Sequence, residues 1–145
     1  MFISYQNLKM AATILGNKKL VYQSNREKLD KRQHAYNCWN FTAFTLGWTN
    51  ELEWFSSNRM NNLLKTNSYP VSKKNLKAGD IVVYRSEEIY NCLDHTALIL
   101  DPKKKTIIHK DGSLPVELNK YNKVYQWSKI SFRRPKKKII KEYYA

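Results

Sequence analysis

Apolar residues recur along this chain with two different periods, and the change between them divides it. The first half has helical spacing. Leu8, Ala11, Ala12 and Leu15 fall three and four residues apart, with Ser4 placed to cap the start and Gly16-Asn17 to close it, which predicts a packing helix. Residues 18–32 are mixed: Leu20-Val21-Tyr22 suits a short extended piece, and Ser24 to Leu29 a turn into a charged helix. From Tyr36 to Gly47 the sequence is apolar nearly all round, with Trp39, Ala43 and Leu46 on one side and Cys38, Phe41 and Thr45 on another. That pattern predicts a buried helix, capped by Asn37 and closed by Gly47, so that Cys38 lies in its first turn. Asn50 and Glu53 have capping-box spacing ahead of Leu52, Phe55, Met60, Leu63 and Leu64, which predicts another helix over Glu51 to Lys65. Thr66 to Pro70 would end it, because polar turn formers and a proline cannot continue the ladder.

Beyond Gly79-Asp80 the period becomes that of strands. Ile81-Val82-Val83-Tyr84 is a β-branched run, followed after a loop by Thr96 to Leu100, a turn at Asp101 to Lys105, and a returning strand at Thr106 to His109. Val116 to Leu118 can pair next, and Ile130 to Arg133 reads as a last strand. Helices followed by an antiparallel meander give an α+β fold, N-terminal helices packed on an antiparallel β-sheet, with the Cys38 helix against one face. The length, 145 residues, suits one domain over 1–145, closing on a basic, tyrosine-bearing tail at 136–145.

Composition narrows the function classes. Two cysteines argue against a disulfide framework, leaving one bridge open, and rule out Cys-rich zinc sites; no cofactor or metal is expected. The N-terminus lacks the basic start and apolar core of a signal peptide, and no apolar run approaches a membrane span. A soluble protein made in the cytoplasm is expected, with release or delivery to the cell wall left open. The net charge of +14 attracts anions, whether nucleic acid, anionic polymer or acidic substrate. Heavy use of lysine, asparagine, isoleucine and tyrosine is equally what genomic compositional bias produces.

The candidate chemistry centres on Cys38. At a helix N-terminus the free backbone N–H groups and the helix dipole favour thiolate, the nucleophilic form, whereas a buried structural cysteine is the plain alternative. Two histidines bracket the central strand pair. A hairpin centred on Lys103 sets His95 opposite Asp111 and His109 opposite Ala97, so all four project from one face, with His109 a diagonal neighbour of His95. That order supplies a nucleophile, a base and an orienting group, the set a cysteine hydrolase requires. His34 reads as an exposed loop histidine. A metal held by Cys38, His95 and His109 matches no common zinc spacing.

The segments Asn37-Cys38-Trp39-Asn40-Phe41, Leu76-Lys77-Ala78-Gly79-Asp80-Ile81-Val82-Val83-Tyr84, Asp94-His95-Thr96-Ala97-Leu98-Ile99-Leu100, Ile107-Ile108-His109 and Ile130-Ser131-Phe132-Arg133-Arg134-Pro135 together resemble the NlpC-type papain-like cysteine peptidases and the related CHAP amidases. The resemblance covers about 36–135. It implies a papain-like fold, a Cys38 nucleophile, His95 as base, His109 as third residue with Asp111 the alternative, and the Cys38 N–H as one oxyanion-hole donor. It also implies a thiol protease or amidase acting on a peptidoglycan peptide of the bacterial cell wall. The family's usual Asp-Cys-Ser-Gly is Asn37-Cys38-Trp39-Asn40 here, and its upstream Tyr-x-Trp-Gly-Gly segment is missing. An acyltransferase or transglutaminase-like enzyme would use the same residues. A basic nucleic-acid-binding module, contacting its ligand through Lys103 to Lys105 and Lys136 to Lys138, is the non-enzymatic alternative.

Overall fold

A computed structural model describes residues 5–16, 36–88 and 91–136. The expected elements at 20–22 and 24–29, Ser4, His34, and the tail beyond Lys136 lie outside the described residues. Among the described residues, three α-helices precede a six-stranded antiparallel sheet: α1 (Tyr5–Leu15), α2 (Cys38–Thr45), α3 (Ser57–Asn67), β1 (Ser68–Val71), β2 (Ile81–Arg85), β3 (Leu93–Asp101), β4 (Thr106–Lys110), β5 (Val116–Lys120) and β6 (Lys129–Pro135). The strand order is β1-β6-β2-β3-β4-β5. The class is therefore α+β, as the change of period predicts. Among the described residues no helix is long and apolar enough to cross a membrane.

α2 lies against β3 and β4. It begins where the sequence places it: Asn37 is extended, and its Oδ1 accepts the Asn40 N–H at 3.1 Å. Gly47 follows the helix at φ +78°, a left-handed conformation that glycine adopts without steric cost. Every α2 residue except Trp39 is buried.

The following helix differs from expectation. It starts at Ser57, capped by Ser56 Oγ, and residues 51–56 are not helical. A helix from Glu51 would bond the Phe55 N–H to the Glu51 carbonyl, but α2 has taken both groups. Asn40 Nδ2 donates to Glu51 O at 2.9 Å, and Asn37 Oδ1 accepts from Phe55 N at 3.3 Å. Asn37 Nδ2 also donates to Phe55 O at 2.8 Å, and Asn40 Oδ1 accepts from Glu53 N. Two buried amides thus bond an extended segment as a neighbouring strand would, and they outweigh the local capping signal. The expected turn at 66–70 is also corrected: α3 runs on to Asn67 and Ser68–Val71 is a strand. Pro70 is tolerated because β1 is an edge.

The sheet is apolar on both faces. Ile81, Val83, Leu98, Leu100, Ile108 and Val116 pack beneath the helices, while Val82, Tyr84, Ala97, Ile99, Ile107 and Phe132 form a second core on the other side. Arg134 holds the buried Asp80 carboxylate with two bonds of 2.8 and 2.9 Å, tying β6 to the turn that feeds β2. The β3–β4 register follows the hairpin centred on Lys103 at Leu98↔Ile108 and Ile99↔Ile107, then shifts at Asp101↔Thr106. Lys103 and Lys104 are exposed at its tip, where both of their N–H groups donate to Asp101 Oδ1.

Asn37→Ala should cost about 2–4 kcal/mol, because it removes an N-cap and strands the buried polar groups of Phe55. Ser56→Ala, at an exposed cap, should cost about 1 kcal/mol. Urea unfolding of the two variants checks the order.

Candidate active site

Paired residues of β3 and β4 extend only from Asp101↔Thr106 to Leu98↔Ile108, although β3 reaches back to Leu93 and β4 runs on to Lys110. The sheet opens at this seam, and the N-terminus of α2 lies across it. Cys38 begins α2 beside it, with its carbonyl facing Thr96 Oγ1. The backbone N–H groups of Thr96, Trp39 and Cys38 itself favour its ionised form. Thr96 also fixes the helix start, donating through Oγ1 to the Cys38 carbonyl or to Thr42 Oγ1.

His95 and His109 lie on the sheet face opposite α2, because they share parity with Ala97, Ile99 and Ile107 rather than with the residues under the helices. The sequence reading places both on one face. It does not anticipate that α2 and the two imidazoles lie on opposite faces of the sheet. Thr96, the residue after His95 on β3, bonds the Cys38 carbonyl through Oγ1 at 3.4 Å, so the helix start meets β3 next to His95. Cys38 is also felt electrostatically by Tyr125, which stacks on the His95 ring at 4.4 Å and 6°.

The two imidazoles are hydrogen-bonded, His95 Nε2 to His109 Nδ1 at 2.7 Å. His109 Nε2 in turn lies 2.6 Å from Asn119 Oδ1 and 3.6 Å from Glu117 Oε1. Both atoms beyond Nε2 are acceptors, so the His109 proton resides there. In its neutral form His109 then offers Nδ1 as an acceptor, and His95 donates through Nε2–H. The chain leaves His95 Nδ1 unprotonated. This atom is buried and has no hydrogen-bond partner in the protein, so its lone pair is available to take a proton.

Burial sets the resting charges. It pushes the Cys38 thiol up to about 12, against the opposing pull of the three N–H groups. Helix-end stabilisation of a resting thiolate is therefore overridden, since removing a charge from water costs more than the first turn returns. Burial also holds His95 well below 6.5, reinforced by His109. The resting pair is a neutral thiol beside a neutral base.

Asp111, the alternative third residue, is placed elsewhere: it accepts a 2.5 Å bond from Tyr125 Oη. The direct contact of the imidazole nitrogens leaves no space for a shared ion, and among the described residues no three His, Cys, Asp or Glu side chains group as a metal site. Cys92 is exposed whereas Cys38 is buried, so a general alkylating reagent meets Cys92 first. Asn119 and Glu117 were not identified from sequence, yet the signal existed. Pairing β5 with β4 as Ile107↔Asn119 and His109↔Glu117 puts both on the imidazole face. No protein-family model matches this sequence, and no curated protein matches it.

Because His95 is held neutral, an unfolded chain takes up a proton below pH 6.5 that the folded chain refuses. The stability associated with this histidine is complete above 6.5 and declines as the pH falls toward the folded value. Denaturation midpoints should drop on acidification through this range, and less so in His95→Gln. Imidazole ¹⁵N shifts should report Nε2–H tautomers for both histidines at neutral pH.

Proposed function

We propose that this chain is an NlpC-type, papain-like cysteine peptidase or amidase that opens an amide bond through a Cys38 thioester, with a bacterial cell-wall peptide as its substrate class. The observation that supports the reading is the buried, unpartnered His95 Nδ1, on the residue next to Thr96, whose Oγ1 bonds the Cys38 carbonyl. A structural histidine buried at this depth would be expected to satisfy both nitrogens.

In this reading His95 Nδ1 takes the Cys38 proton as the sulfur attacks the carbonyl carbon. The imidazolium so formed keeps its Nε2–H bond to His109, whose own Nε2–H is held by Asn119 with Glu117 nearby. The oxyanion is received by the Cys38 N–H at the helix start, where first-turn donors have no partner within the helix. His95 then delivers its proton to the leaving amine. Water, deprotonated by the same nitrogen, releases the acyl group from sulfur. A base is needed throughout because the thiol is protonated at rest.

The basic surface suits a substrate rich in carboxylates and would raise encounter rates at low salt. Trp39 and Asn40 replace the family's small residues after the nucleophile, and Asn40 has an evident structural use in holding residues 51–53.

His95→Gln should lower kcat/KM by about 10²–10⁴-fold on a wall peptide. His109→Asn should cost less, and Asp111→Ala less again. Intact mass of wild-type protein incubated with wall fragments should reveal an acyl adduct on Cys38. Full turnover by folded His95→Gln, or a larger loss from Asp111→Ala than from His109→Asn, overturns the assignment.

A further inference from the structure

We propose that Tyr125 is a positioning residue: its ring fixes the plane of the His95 imidazole and favours the imidazolium that forms when the thiol gives up its proton. The inference rests on the hydrolase reading of the same site and adds a residue to the control of its base. Tyr125 is half-buried in the β5–β6 connection, with its ring parallel to that of His95 within 6° at 4.4 Å. Two further rings meet His95, Tyr84 of β2 at 5.5 Å and 49° and His109 of β4 at 4.9 Å and 81°. Among the described residues Tyr125 is thus the one ring stacked on the base.

The hydrogen bond to His109 does not set that plane. It is made at Nε2, near the axis about which an imidazole turns, and the torsion concerned is broad in histidine. A parallel ring against the face limits the swing and so decides where Nδ1 points.

The backbone of Tyr125 is an independent sign. Its φ of +47° is a left-handed conformation, which disfavours a bulky side chain and is usually left to glycine or asparagine. Such strain persists only where the surroundings hold it, and it concentrates at functional sites. Here the hydroxyl donates to Asp111 Oδ1 at 2.5 Å, and burial together with this bond keeps the phenol protonated. A tyrosine that merely filled space would need neither the strained backbone nor the carboxylate.

The face of an aromatic ring is negative, so it attracts a stacked cation more than a stacked neutral ring. A carboxylate bonded to the hydroxyl adds to that attraction. The other titratable groups nearby have different partners: Tyr84 donates to the Tyr121 carbonyl, Asp94 accepts from Ser128, and Glu117 lies beyond His109. Asp111 therefore acts on the ring face through Tyr125.

The test is the rate at which Cys38 reacts with iodoacetamide at neutral pH in full-length Cys92→Ser protein, because this reaction draws on the same proton transfer as catalysis. Tyr125→Leu should slow it about tenfold, and Tyr125→Phe, which keeps the face and loses the carboxylate, about threefold. Asp111→Asn should match Tyr125→Phe, and combining the two should slow the reaction no further, since both break one link. A merely structural tyrosine would lower unfolding midpoints and leave these rates alone. If Tyr125→Leu fails to fold, the Tyr125→Phe and Asp111→Asn cycle decides. Additive losses in that cycle, or alkylation that is unchanged or faster in folded Tyr125→Leu, overturn the role of Tyr125 and leave the hydrolase standing. A rate that His95→Gln does not lower overturns the base itself, and this proposal with it.

Discussion

The site depends on one unpaired stretch of sheet. Where β3 and β4 separate, the start of α2 comes against β3, and Thr96 Oγ1 donates to the Cys38 carbonyl. The helix lies on one face of the sheet there, and the two imidazoles share the other. The placement of α2 is secured from outside the seam, by Asn37 and Asn40 bonding residues 51–55 and by Thr96 bonding the helix start.

Protonation follows from burial more than from helix-end electrostatics. Thiol and imidazole are both driven to their neutral forms, one upward and the other downward. Any proton transfer between them would create two charges where none existed. His109, Asn119 and Glu117 line up behind the His95 ring. Tyr125, stacked on His95 and bonded to Asp111, holds the ring plane.

Much of this was legible in the sequence. Periodicity revealed α2 because its apolar pattern and both caps agree, and the hairpin centred on Lys103 placed His109 beside His95. The start of α3 was not legible, since its capping box competes with side chains that approach only after folding. Strand β1 was hidden by Pro70, acceptable only because the strand is an edge. Asn119 and Glu117 would have followed from extending the register by one strand. Tyr125 would not, because it lies in a connection without periodicity.

The last member of the imidazole chain stands on β5, which has a neighbour on one side only. Outer strands open locally at lower free energy than the centre of a sheet. Alignment of the His95 ring is thus underwritten by the local stability of an outer strand, whereas Cys38 and His95 themselves lie buried in the core. Fraying of β5 would release the tautomer of His109 while leaving the fold intact, so heat would disable the site before it melted the molecule.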